Sequence, residues 1–224
     1  MKLSLSLLAL LLTVCWVRAD LVIVENVDSG TRTGQMTVKV GTDKVRADMP
    51  SQVSTITDTA TGEITTLMHA QRVYMVITAA AGKAMMAQFT KMMQANGGIA
   101  SSSPPPLEAT GKTDKINGYD AKEYVFNNGT LKASYWMSTD FPNGQKVAEA
   151  LAKVRKGSLA DLTKAFAPDL TTLPGVPVKT EIEINGQKTT TELVSATEQP
   201  VDPSEYQIPA SYTQMQVPMM PQPH

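Results

Sequence analysis

Residues able to do chemistry are few in this chain, and they are scattered. The 224 residues include two histidines and one cysteine. One histidine is the last residue, which leaves His69 as the single internal imidazole. A Ser/His/acid hydrolase would need His69 as its base. No serine sits in a G-x-S-x-G elbow, and His69 falls in an expected surface turn between two strands. Asp114, Asp120 and Glu123 lie close enough in sequence for paired-carboxylate work. They surround a turn in a polar run, so solvated loop charges are the plainer reading. Gly41 and Gly82 belong to no phosphate-cradling pattern. One cysteine excludes a disulfide framework and a Cys-rich zinc site. No catalytic residue, metal ligand or cofactor is therefore assigned. Arg46 and Asp48 are two apart and share one strand face. They read as a surface pair or as a charged rim beside an apolar mouth.

The more informative pattern is apolar. Met85, Met86, Phe89, Met92 and Met93 recur at i, i+1, i+4, i+7 and i+8, which predicts a helix over 82–94 with one apolar stripe. Methionine is flexible and polarizable, and suits a surface that accepts varied apolar ligands. The stripe is either core packed on a sheet or the lining of a ligand site. On the second reading Met85, Phe89 and Met92 face the ligand, with Met68, Tyr74 and Trp136 as partners on the sheet.

The elements that would hold these residues are mostly strands. From 21 to 78 the chain alternates apolar and polar residues between turn signals, as in an antiparallel meander with one buried face. Ser101 to Pro106 reads as an extended linker. Strands return at Ala121 to Asn127 and Leu131 to Ser138. Asn143 opens a helix over about 144–156 with Val147, Leu151 and Val154 inward, and Ser158 opens a second one ending near Ala167. Asn185-Gly186 favours a type I′ hairpin turn. That turn sets Ile184 against Gln187, Glu183 against Lys188, Ile182 against Thr189 and Lys179 against Glu192. The Glu/Lys side would then face solvent.

The N-terminus reads as an address. Lys2 precedes an apolar run to Trp16, and Val17-Arg18-Ala19 offers small residues at the cleavage positions. The run of about 14 residues is short for a membrane span of roughly 20. A secretory signal cut after Ala19 is expected, which places the mature chain in the periplasm or outside the cell, with no integral span. Leu12-Thr13-Val14-Cys15 loosely resembles a lipobox, so a lipoprotein anchored through Cys15 is the alternative. Residues 20–213 form one domain in this reading, and 214–224 a disordered Pro/Met tail. The net charge of -1, with 18% charged residues, excludes a basic nucleic-acid footprint.

Four segments carry a resemblance to a known family. They are Lys44-Val45-Arg46-Ala47-Asp48-Met49, Gly118-Tyr119-Asp120-Ala121-Lys122-Glu123-Tyr124, Leu173-Pro174-Gly175-Val176-Pro177 and Val201-Asp202-Pro203-Ser204-Glu205-Tyr206-Gln207-Ile208-Pro209. Together they span about 21–213 and resemble the bacterial domain of unknown function 4412. That family is similar to the LolA/LolB-like periplasmic lipoprotein carriers and receptors. The resemblance implies a mainly β (α+β) fold: a curved antiparallel sheet or incomplete barrel closed by two helical regions. It also implies binding rather than catalysis, with acyl chains sheltered on a concave apolar surface. The Arg-Pro pair that carriers tend to have near the end of an early strand is absent, since Lys39-Val40-Gly41-Thr42 stands there. The expected function is thus a non-enzymatic exported protein that binds a lipid or lipoprotein acyl chain between sheet and Met-rich helix. The alternative is an envelope protein-interaction module with no ligand cavity.

Overall fold

The computed structural model describes residues 19–49, 51–95, 105–129, 131–154, 168–184 and 186–215. The expected signal sequence, Cys15, most of the expected Ser/Pro linker, the expected helix ending near Ala167 and the tail beyond Met215 lie outside these residues. So do the side chains of Phe89 and Met92.

Six strands come first: β1 (Ala19–Asp28), β2 (Thr33–Val40), β3 (Lys44–Met49), β4 (Val53–Asp58), β5 (Ile64–Met68) and β6 (Val73–Ile77). Helix α1 (Ala79–Ala95) follows, then β7 (Glu108–Ile116), β8 (Tyr119–Asn127), β9 (Leu131–Ser138) and helix α2 (Gly144–Val154). The chain ends with β10 (Val176–Ile184), β11 (Gln187–Pro200), a 3-10 turn over Pro203–Tyr206 and β12 (Thr213–Gln214). All 12 strands join one sheet in the order β12-β6-β5-β4-β3-β2-β1-β11-β10-β9-β8-β7. The sheet does not close, because β7 and β12 are its two edges. Every pairing is antiparallel except β12 with β6.

Alternation and tight turns explain β1–β6 and the β10–β11 hairpin. The hairpin register is the expected one, with Lys179 opposite Glu192, Ile182 opposite Thr189 and Ile184 opposite Gln187. Strand β7 was not expected. It is exposed from Glu108 to Lys115, and an edge strand with two wet faces carries no apolar alternation to betray it. Strand β12 was not expected either. Gln214 was placed in a disordered tail, but it pairs with Tyr74, and Met215 N donates to the Tyr74 carbonyl.

Of the two expected helical closures, α2 packs on the sheet through described side chains. Its Val147 and Ala150 are buried with Leu21, Ile23, Val40, Val45, Val178 and Leu193. Asn143, in the left-handed region at φ 58, precedes it and donates from Nδ2 to the Ala196 carbonyl. The side chains described on α1 are mostly exposed, Met85 by 38%. A second cluster, Phe126, Ala133, Tyr135 and Met137, is covered by Leu107, Leu170 and Leu173. Gly175 admits no side chain. Its φ is +82, and a Cβ there would lie 2.0 Å from the Ser138 carbonyl oxygen.

Candidate functional site

Regular pairing from β1 to β6 decides which side chains share a face. One row runs Glu25–Met36 across β1–β2 and continues Met49–Val53–Met68–Val73 across β3–β6. A parallel row runs Ile23–Val38–Ala47–Thr55–Thr66–Met75. A third runs Leu21–Val40–Val45–Thr57–Ile64–Ile77. At the β1–β3 end these rows reach the cluster under α2. Toward β6 they emerge, and Met36, Val38, Ala47, Val53, Met68, Met75 and Ile77 remain only part-buried, with Met49 40% exposed. The result is an apolar face that the described residues cover at one end and leave open at the other.

The opposite face of the same strands buries Val22, Ile56 and Leu67 and carries polar groups that are tied down. Arg46 donates from Nε to Asp48 Oδ1 at 2.6 Å, from NH1 to the Glu205 carbonyl at 2.7 Å and from NH2 to Ser54 Oγ at 3.2 Å. Lys39 Nζ lies 3.1 Å from Asp48 Oδ2 and 2.9 Å from Glu205 Oε2. Asp202 supplies the cap of the 3-10 turn by accepting from Ser204 N. Tyr206 donates to Asp20 Oδ2 at 2.8 Å, and its ring lies where a Cβ on Gly41 would approach to 3.2 Å. The segment 201–215 is thus clasped onto the sheet. Burial pushes the Asp48 carboxyl up, but hydrogen bonds from Ser54, Arg46 and Lys39 outweigh it and hold the group below its usual range. Burial, reinforced by Asp20, pushes the Tyr206 phenol up.

His69 belongs to this clasp, which corrects its reading as a surface turn residue. It occupies the turn, yet its ring is half-buried. Nε2 lies 2.6 Å from Ser54 Oγ and Nδ1 lies 2.6 Å from Tyr212 OH. Ser54 donates its one proton to Asp48 at 2.6 Å. Nε2 must then carry a proton toward Ser54, while Nδ1 accepts from Tyr212. The Ser54 hydroxyl is 1% exposed and saturated by three partners. It locks β4 to β3 and is not presented to a substrate. The Arg46–Asp48 pair is likewise an anchor for the C-terminal segment and not a free surface pair.

The other acidic candidates also have structural partners. Glu123 is buried and accepts from Ser134 and Thr110 at 2.9 Å each, with Lys112 at 3.1 Å. Asp120 pairs with Lys115, and Asp114 accepts from its neighbour's backbone N–H. On the Glu/Lys side of the last hairpin, Glu181 lies between Lys179 and Lys188 at 3.1 Å each. Among the described residues no cluster of metal-ligating side chains occurs.

Of the expected ligand residues whose side chains are described, Met68, Tyr74 and Trp136 do not share one face or one strand neighbourhood. Met68 lies on the apolar face. Tyr74 pairs with Leu67 and Gln214, so it projects from the opposite face. Strand β6 reads Val-Tyr-Met-Val-Ile, a continuous apolar run whose alternation could not decide between Tyr74 and Met75. Trp136 is opposite Glu123 and Lys179 and packs on the α2 cluster, several strands away. Three cavities of about 580, 560 and 340 Å³ lie on β7–β9, beside β1–β2 and on β8–β11, and none is lined by Met68, Tyr74, Met85 or Trp136. Glu25, Met36, Val53 and Met75 were missed. The alternation of β2 displayed the parity of Met36, the apolar run of β6 hid that of Met75, and the shared row depends on how the strands pair.

No curated protein matches the chain by sequence. Among solved structures it is similar to PNGF-II at 13% identity and TM-score 0.42, covering 88% of this chain and 31% of that one. It is similar to MucB, solved in complex with MucA(peri), at 9% identity and TM-score 0.37, covering 89% and 57%. It is also similar to a putative outer membrane lipoprotein-sorting protein domain from Vibrio parahaemolyticus, at 9% identity and TM-score 0.30, covering 84% and 89%. The chain therefore spans about a third of PNGF-II and over half of that MucB chain. The sequence profile of the domain of unknown function DUF4412 matches residues 21–212, and the chain belongs to the DUF4412 family.

Proposed function

We propose that this is an exported, non-enzymatic protein that binds an apolar ligand, a lipid or an acyl chain, on the face of β2–β6 that carries Met36, Met68 and Met75. One observation carries the reading: three registered rows of mostly apolar side chains, buried under α2 at one end and part-exposed at the other. The opposite face of the same strands is sealed by its own polar partners, so openness is confined to one side. Covering such a surface with an aliphatic chain gains roughly 0.8 kcal/mol per buried CH₂. Four methionines on the face, Met36, Met49, Met68 and Met75, suit a ligand of loosely defined shape. Export rests on the signal-type N-terminus and places the binding in the envelope or outside the cell. No described helix is long and apolar enough to cross a membrane.

The competing reading is an envelope protein-interaction module, and β7 favours it. This edge strand is exposed along nearly its whole length and, among the described residues, has no strand on its outer side. Native mass spectrometry of the mature protein, purified from the exported fraction without detergent, separates the two. A bound mass that extracts as lipid and disappears in Met68→Lys and Met75→Lys supports the ligand reading. A clean apo mass, with no uptake of the neutral apolar probe N-phenyl-1-naphthylamine, overturns it in favour of the interaction module.

A further inference from the structure

The apolar face has one carboxylate on it. Glu25 stands at the β1 end of the row that continues through Met36, Met49, Val53, Met68 and Val73. Its partner across the other ladder is Leu193, and on its own strand the same face carries Ile23 and Val27. The charged groups of β2 and β3 cannot reach it. Lys39 is opposite Val22, and Asp48 is opposite Thr37, which is opposite Val24, so all project from the other side of the sheet. Lys153 of α2 is committed to the Gly41 carbonyl at 3.4 Å. Among the described residues no ion pair or side-chain hydrogen bond reaches the Glu25 carboxylate. Burial alone acts on it and pushes its carboxyl up.

A desolvated acid without a partner is costly, and the described residues supply none to offset that cost. The row beside it is the right shape for an extended tail. Five steps between neighbouring strands make roughly 24 Å from Glu25 to Val73. We propose that Glu25 is the head-group anchor of this face and selects an amphiphile with an aliphatic tail and a cationic amine head. The tail lies along Met36, Met49, Val53 and Met68, and the ammonium pairs with the carboxylate. A fatty-acid anion would place two negative charges together in a poorly solvated site and is disfavoured. This inference rests on the apolar-face reading above and adds the chemistry of the head.

The test displaces a neutral apolar probe, N-phenyl-1-naphthylamine, with dodecylamine, dodecanol and dodecanoate below their aggregation limits. It is run at about pH 8, where the amine is protonated and the acid ionised. The wild type should release the probe at about tenfold lower amine than alcohol, the ratio expected of one charge-assisted hydrogen bond. Dodecanoate should be the weakest of the three. Glu25→Gln should still bind the probe and should bring amine and alcohol within about twofold. Glu108→Gln, which removes an exposed carboxylate on β7, should keep the wild-type ratio and so exclude a general charge effect. If Glu25→Gln binds the probe and the amine preference persists, the anchor is wrong while the apolar face stands. If the wild type takes up no probe, both ideas fall.

Discussion

The two faces of β2–β6 share a backbone but differ in what covers them. On one, Lys39, Arg46, Asp48, Ser54 and His69 reach Glu205 and Tyr212 of the C-terminal segment, and each polar group has a partner. On the other, Met36, Val53, Met68 and Met75 have α2 at one end, and the described residues leave them part-exposed toward β6. The family-marking residues sit mainly on the first face or in structural positions. Arg46 meets Asp48 and Glu205, Tyr206 meets Asp20, and Gly175 passes the Ser138 carbonyl. What the resemblance marks is therefore the device that holds the sheet in shape. The proposed binding face is built from residues whose only shared property is being apolar at one parity. A surface that accepts loosely shaped ligands needs no fixed side chain, whereas a clasp of charged groups needs every member.

Adjacent residues on β5 give the sharpest test of this contrast. Leu67 is fully buried on the clasped face and Met68 part-exposed on the open one. Leu67→Ala should cost about 3 kcal/mol in urea unfolding. Met68→Ala should cost about 1 kcal/mol or less and should instead weaken ligand uptake. Equal costs would mean that the open face is covered in solution.

Arg46→Ala should come next, at about 2 kcal/mol. This is below the range for a fully buried ion pair, because Arg46 keeps some solvent contact. It leaves Lys39 as the cation shared by Asp48 and Glu205 and removes the bond to the Glu205 carbonyl. Limited proteolysis should then cut first within 201–215 while probe binding on the other face persists. Loss of both together would show that the two faces are coupled.

The smallest effects are in pH, and their signs oppose. Asp48 has a lowered folded pKa, so its contribution is complete above the unfolded value near 3.8 and is lost as pH falls through the folded one. Glu25 has a raised folded pKa, so its burial is tolerated when protonated and destabilises increasingly as pH rises from about 4.5 toward the folded value. Glu25→Gln should therefore raise Tm at neutral pH, on the order of 2 °C, with the gain vanishing toward pH 4.5. Asp48→Asn should lower Tm at neutral pH and flatten the acid limb of the stability curve. A Glu25→Gln gain that did not depend on pH would remove the desolvated-acid account.

Much of the fold was legible because local rules suffice for it. Alternation marked β1–β6, Asn185-Gly186 fixed the register of the last hairpin from Lys179–Glu192 to Ile184–Gln187, and the spacing of Val147 and Leu151 marked the inward side of α2. Edge strand β7 was invisible, because a strand wet on both sides needs no pattern. The site was harder to read. Met68 was found, but Tyr74 was preferred to Met75 because a run of five apolar residues hides its own parity. The Met-rich stripe of α1 drew attention from Met36 and Val53, which are single methyl-bearing groups in separate strands. His69 looked like a lone turn residue because its partners Ser54 and Tyr212 are 15 and 143 positions away.

The sequence by itself determined which residues alternate, where the chain turns and that no clustered nucleophile, acid pair or metal set is encoded locally. Periodicity and turn chemistry act over a few residues, and a single chain displays them directly. Only the tertiary structure decided that Glu25 begins the row of Met36, Met49, Val53 and Met68, and that Arg46, Ser54 and His69 close on residues 201–215. Those facts depend on pairing between distant strands, which the free energy of the whole sheet selects and no local window contains.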